Sequence, residues 1–155
     1  MMKETISIAR TMLEENTVAQ HGSKIQLNLG PREVAELKAI HTGVNAVAAN
    51  QSMSYGLYRK GDRIDSDISS QSESVEDNNW IIREEVDLGV VGYLGPVLSS
   101  SYIQFPAGLV LLGSPQAVMR PNQATTMRII MTLYYQIQTV TESDLARLMM
   151  KYRND

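Results

Sequence analysis

Apolar and polar residues alternate with little interruption along residues 124–140. Met127, Ile129, Met131, Leu133, Tyr135 and Ile137 fall on one side, and Arg128, Thr132, Gln136 and Gln138 on the other, with Ile130 and Tyr134 among them. A period of two is that of a β-strand, and one this long spans the height of a sandwich. Ile25-Gln26-Leu27-Asn28-Leu29 alternates just as strictly and predicts a half-buried strand, which Gly30-Pro31 ends. Residues 52–59 predict another, with Met53, Tyr55 and Leu57 on one face. Trp80-Ile81-Ile82 opens a further strand that residues 83–87 extend. Residues 100–104 and 108–112 read as strands around Phe105-Pro106, and because proline cannot donate to a ladder this point is an edge or a bend. Ser114-Pro115 and Arg120-Pro121-Asn122 are turns.

The period changes at both ends. Over residues 3–16, Ile6, Ala9 and Leu13 fall near one helical face, Met12 lies beside them, and Glu14 and Glu15 face outward. This predicts an N-terminal helix, lying either on the domain's own sheet or, as an arm, on a neighbouring subunit. At the other end Thr141 caps a helix, with Asp144 three residues on. Leu145, Leu148, Met149 and Tyr152 then follow at helical spacing, and Arg147, Lys151 and Arg153 suit the negative end of the dipole. Residues 32–47 fit both periods. Pro31 could open a helix carrying Val34, Leu37 and Ile40, while Ala35, Leu37, Ala39 and His41 alternate against Glu36 and Lys38 as a strand would. Propensity favours helix for residues 33–39; the β-rich surroundings favour strand, which we adopt.

The expected architecture is one mainly β domain, an antiparallel sandwich or barrel with short N-terminal and C-terminal helices. Residues 1–22 form the helix or arm, 23–140 the sandwich and 141–155 the closing helix. Residues 61–79 are a polar loop of serines and acids inserted between strands. A chain of 155 residues buries a core without staples. There are no cysteines, which excludes disulfides and thiolate metal sites. The start of the chain lacks the apolar run of a signal peptide. The most apolar stretch, residues 86–112, is broken by Asp87, Gly95-Pro96 and three serines, so neither it nor any other segment predicts a membrane span. Synthesis in the cytosol is expected.

The net charge of −3 implies no strong binding to nucleic acid, and the basic residues are dispersed apart from Arg59-Lys60 and Lys151-Tyr152-Arg153. Residues 89–95 are glycine-rich but lack the spacing of a dinucleotide loop, and there is no G-K-[ST]. His21 and His41 are not at ligand spacing. Asp62, Asp65 and Asp67 are weak calcium candidates: counted from Asp62, Glu73 falls at the twelfth position of an EF-hand loop, but the sixth is Asp67 where glycine is needed. Ser99, Ser100 and Ser101 have no nucleophile-elbow surroundings, and Glu84 and Glu85 would point to opposite faces of a strand. No catalytic residue, cofactor or firm metal site is expected.

Four passages resemble the small single jelly-roll coat proteins of tailless DNA viruses and their environmental relatives. These are Ile25 to Leu29 with Gly30-Pro31 and Glu33-Val34-Ala35-Glu36-Leu37; Tyr55-Gly56-Leu57-Tyr58-Arg59-Lys60; Ile103-Gln104-Phe105-Pro106-Ala107-Gly108-Leu109-Val110; and Ile130 to Tyr135 with Val140-Thr141-Glu142-Ser143-Asp144-Leu145. The resemblance covers about half the chain, in the order of features, and also favours strand for residues 32–40. It implies a jelly-roll-like sandwich and a capsid subunit that self-assembles in the virion, through pentamers or hexamers and alongside other virion proteins. The alternative is a non-enzymatic β-sandwich module for decoration, a spike or carbohydrate binding. The candidate subunit contacts are Ile6, Ala9, Met12, Leu13, Leu145, Leu148, Met149 and Tyr152. Nine methionines offer the adaptable apolar surface that such packing uses, as well as ordinary core filling.

Overall fold

The structure, a computed structural model, describes residues 5–46, 52–68, 77–87 and 97–152. In chain order they form β1 (Ser7–Glu15), β2 (His21–Lys24), β3 (Glu33–Ala46), β4 (Ser52–Tyr58), β5 (Trp80–Asp87), β6 (Val97–Leu111), β7 (Gln116–Pro121), β8 (Met127–Thr139) and α1 (Glu142–Lys151). Two four-stranded antiparallel sheets face each other, in the orders β1-β8-β3-β6 and β2-β7-β4-β5. The first strand pairs with the last, the second with the second-last, and so inward to β4 with β5. A ribbon paired in this way and rolled up brings β8 against β3 and β7 against β4. That is the jelly roll. The sandwich is laced along its β1/β2 side, where Thr11 Oγ1 and Ser23 Oγ lie 2.8 Å apart.

β8 occupies the place its sequence predicts. It is flanked by β1 and β3, and Met127, Ile129, Met131, Leu133 and Tyr135 are buried. They meet Met53, Tyr55 and Leu57 of β4, and Ala117 and Met119 of β7, in one core. The ambiguous residues 32–40 lie in β3 from Glu33 onward. A helix there would leave β8 and β6 without the ladder that β3 gives both.

The N-terminal helix does not form. Residues 7–15 are strand β1, and the sandwich therefore begins well before residue 23. The spacing misled because Ala9 and Leu13, four apart, share a face in a strand as well as in a helix. They enter the core, while Ile8 and Met12 point the other way and stay exposed. An apolar residue on each face hides the alternation.

Residues 25–29 correct a second expectation. Their burial alternates as predicted, with Ile25 and Leu27 inside, but they form no ladder. Ile25 N–H donates to the Pro115 carbonyl at 2.8 Å, and Pro115 has no N–H to return a bond. Leu27 N–H turns instead to Ser114 Oγ at 2.9 Å. At Phe105-Pro106 the chain makes one strand, β6, where two were expected. Leu37 pairs with Leu109 and Ala39 with Gln104, so residues 105–108 bulge out of an edge strand, as the proline requires. Gly108 has φ +73° within this bulge, with the Glu36 side chain where a Cβ would stand. The glycine-rich residues 89–95 lie outside the described residues.

Candidate functional site

The polar loop is tied down at its base. Tyr58, fully buried, donates from its hydroxyl to Asp77 Oδ2 at 2.6 Å, Ser66 Oγ donates to the same oxygen at 2.7 Å, and Asn79 N–H donates to Oδ1 at 3.0 Å. Trp80 Nε1–H donates to Ser66 Oγ at 2.8 Å, and its ring meets the Tyr58 ring edge-on at 4.7 Å. Burial pushes the Asp77 carboxyl upward, but the donors from Tyr58, Asn79 and Ser66 outweigh it and hold the group below the usual carboxylate range. The same arrangement, led by burial, raises the Tyr58 hydroxyl above its ordinary value. The network is a structural latch. It was not legible in the sequence, since its members are brought together only by the loop's own path.

The weak calcium candidates diverge. Asp65 pairs with Lys60 at 3.2 Å and Arg63 at 3.1 Å, Asp67 pairs with Arg120, and Asp62 is exposed. Among the described residues no three acids or histidines gather as a metal would need. The histidines lie apart: His21 sits 2.9 Å from Thr17 Oγ1 and 3.6 Å from Glu15, and His41 stands in β3 between Thr132 and Tyr102. Glu84 and Glu85 do point oppositely. Glu84 accepts from the buried Tyr55 hydroxyl, whose ordinary value burial and this carboxylate raise, and Glu85 is exposed. On the outer side of the second sheet, Ser52, Ser54, Arg83, Arg120 and Asn122 border a polar recess of about 560 Å³.

The expected subunit contacts divide. Ala9 and Leu13 are core residues and unavailable to a neighbour. Ile6 and Met12 are 47% and 55% exposed. They join Ile8, Ile130 and Tyr102, exposed by 62%, 37% and 57%, on the outward face of the β1-β8-β3-β6 sheet. The alternation of β8 had placed Ile130 on this side; Ile8 and Tyr102 were missed. Glu14 pairs with Arg128 across β1 and β8 and Lys38 pairs with Glu36, while Arg10 Nε–H donates to the uncharged Thr132 Oγ1 at 3.1 Å.

The C-terminal helix forms as predicted, with Asp144 N–H donating to Thr141 Oγ1 at 3.2 Å. Leu145, Leu148 and Tyr152 are half-buried, and Met149 and Met150 are 55% and 78% exposed. Leu145, Met149 and Met150 face Leu27, Leu29 and Leu112 across an open apolar cleft of about 710 Å³. The helix is held at its far end by Arg59. That guanidinium lies 4.5 Å from the centre of the Tyr152 ring and donates to the Val110 carbonyl at 2.6 Å. Burial lowers its pKa from the usual arginine value. Three members of the two basic clusters serve the fold, since Arg59 and Lys151 flank Tyr152 and Lys60 holds Asp65, while Arg153 lies outside the described residues. Arg59→Ala removes a cation–π contact of about 0.5–1 kcal/mol. It is expected to speed amide hydrogen exchange in α1 while leaving β8 protected, measurable by mass spectrometry.

Among the described residues, no helix is long and apolar enough to cross a membrane. No protein-family model matches the chain, and no curated protein matches it.

Proposed function

We propose that this chain is a structural virion protein, a capsid subunit that associates with copies of itself into a shell after synthesis in a host cytoplasm. The observation that carries this reading is the outward face of the β1-β8-β3-β6 sheet, where Ile6, Ile8, Met12, Ile130 and Tyr102 stand exposed together. Apolar side chains gathered on one sheet face, here with Arg10, Thr132 and His41 between them, suit an interaction surface. Met149 and Met150 of α1 add a second one, beside a cleft with room for a neighbour's side chains. The jelly roll is used by viral shells, but also by lectins, so the fold alone decides nothing. The resemblance of sequence order to coat proteins of tailless viruses favours the shell. Light scattering after size exclusion is expected to find rings or closed particles under some combination of salt, pH and divalent ions.

A decoration or carbohydrate-binding module is the second reading. The polar recess bordered by Ser52, Ser54, Arg120 and Asn122 favours it, since hydroxyl and amide groups suit a hydroxylated ligand. A glycan array separates the two. A saturable glycan bound by a discrete monomer or trimer supports the module, and no binding by an assembling chain supports the shell.

A further inference from the structure

We infer that the apolar cleft beneath α1 is a binding site for a small aliphatic ligand with a cationic head, its chain lying along Leu27, Leu29, Leu112 and Met149 and its head meeting Glu33. This goes beyond the shell reading and does not rest on it.

α1 spans the cleft like a bridge. No residue of the helix is buried, and its supports lie at its two ends. At one end the Val140 N–H donates to the Arg32 carbonyl at 2.8 Å; at the other the Tyr152 ring packs on the Arg59 guanidinium. Between these supports Leu145, Met149 and Met150 face the cleft. The opposite wall is built by two segments that belong to neither sheet, residues 25–29 and 112–115. They are tied to each other at Ile25 and Pro115 and at Leu27 and Ser114, which leaves Leu27, Leu29 and Leu112 lining the space. Its volume of about 710 Å³ lies within the range of about 300–1,000 Å³ found for small-molecule sites. A mostly apolar lining with a few fixed polar groups is also what such sites have. The methionines let the helix wall fit itself to an occupant.

Charge selects the head group. Among the described residues that line the cleft, Glu33 alone is charged. Its carboxylate is fixed, because Oε1 accepts the Gly30 N–H at 2.6 Å and the side chain folds over Gly30, where a Cβ would collide with it. Oε2 is left to a ligand. The bond from Val140 to Arg32 brings the start of α1 to the same end, with Glu142 and Asp144 in its first turn. Arg32 is exposed and is not part of the lining. An ammonium head at this end finds a carboxylate already in place, and a charge-assisted hydrogen bond to it is among the strong ones. A carboxylate head meets like charge and loses water without gaining a partner. An uncharged chain gains the apolar burial alone.

Titration calorimetry and methionine-methyl NMR test this on the full chain, with hexylammonium, octylammonium, octanol and octanoate as probes below micelle formation. Octylammonium is expected to saturate a single site and to bind about tenfold tighter than octanoate. It is also expected to bind about tenfold tighter than hexylammonium, which buries two methylenes fewer. The methyl signals of Met149 and Met150, assigned from their leucine variants, are expected to move. Glu33→Gln keeps an acceptor for the Gly30 N–H, so the thermal midpoint is expected to hold while the preference for octylammonium over octanoate disappears. Met149→Lys, at an exposed position, puts a cation into the cleft and is expected to weaken octylammonium at least about tenfold. Binding that does not saturate, or octanoate binding as tightly as octylammonium, overturns the site. A preference for octylammonium that survives Glu33→Gln overturns the role of that carboxylate and with it the inference. Shifts confined to methionines other than Met149 and Met150 place the ligand elsewhere and overturn it as well.

Discussion

Truncating Leu133 to alanine is expected to cost about 2–5 kcal/mol of folding stability, the range for removing a large buried aliphatic side chain. The upper half of that range applies, because the site has little freedom to collapse. Leu133 is fully buried in β8, which is laddered to β1 on one side and β3 on the other. Its pairing partners Ala9 and Ile40 are themselves core residues held by those ladders. For a chain of 155 residues the loss corresponds to a thermal midpoint about 7–20 °C lower, read by differential scanning calorimetry. A shift under about 2 °C would mean that the rolled ribbon does not close around this strand.

The second large effect is expected at Asp77. Asp77→Ala deprives Tyr58, Ser66 and the Asn79 N–H of their shared acceptor, at about 2–3 kcal/mol, because hydrogen bonds to a charged group are lost and buried donors are left short of partners. The same latch sets an acid limit. The folded-state pKa of Asp77 is depressed below its unfolded value of about 3.9, so its contribution is fully present above that value. It is lost as the pH falls through the folded value. Asp77→Asn keeps an acceptor but cannot titrate, and urea melts between about pH 5 and pH 2 should show a flatter acid limb than wild type. Identical slopes would mean that another carboxylate governs acid unfolding.

Alternation in sequence was informative wherever one face of a strand is apolar and the other polar. β8 and β4 come near that condition, with Ile130 and Tyr134 the apolar exceptions on the outer side of β8, and their inward residues can be named from the sequence. β1 does not, because Ile8 and Met12 are apolar on the outside while Ala9 and Leu13 are apolar on the inside. The feature that made β1 look helical is thus the same exposed patch that makes its sheet a candidate interface. Residues 25–29 failed for a different reason. Burial alternates along any extended chain against a core, but a ladder also needs a partner with donors, and Pro115 is not one. The Thr141 cap was legible because it depends on neighbours three residues apart. The Tyr58–Asp77–Ser66 latch depends on residues from separated parts of the chain, which no local pattern relates.

We propose that this jelly roll is an assembly unit. Size-exclusion chromatography with multi-angle light scattering, run across salt, pH from about 5 to 8 and divalent ions, measures it most directly. Concentration-dependent association beyond the 17.3 kDa of the single chain is expected, reaching rings or closed particles in at least one condition. A mass of one chain in every condition would contradict it.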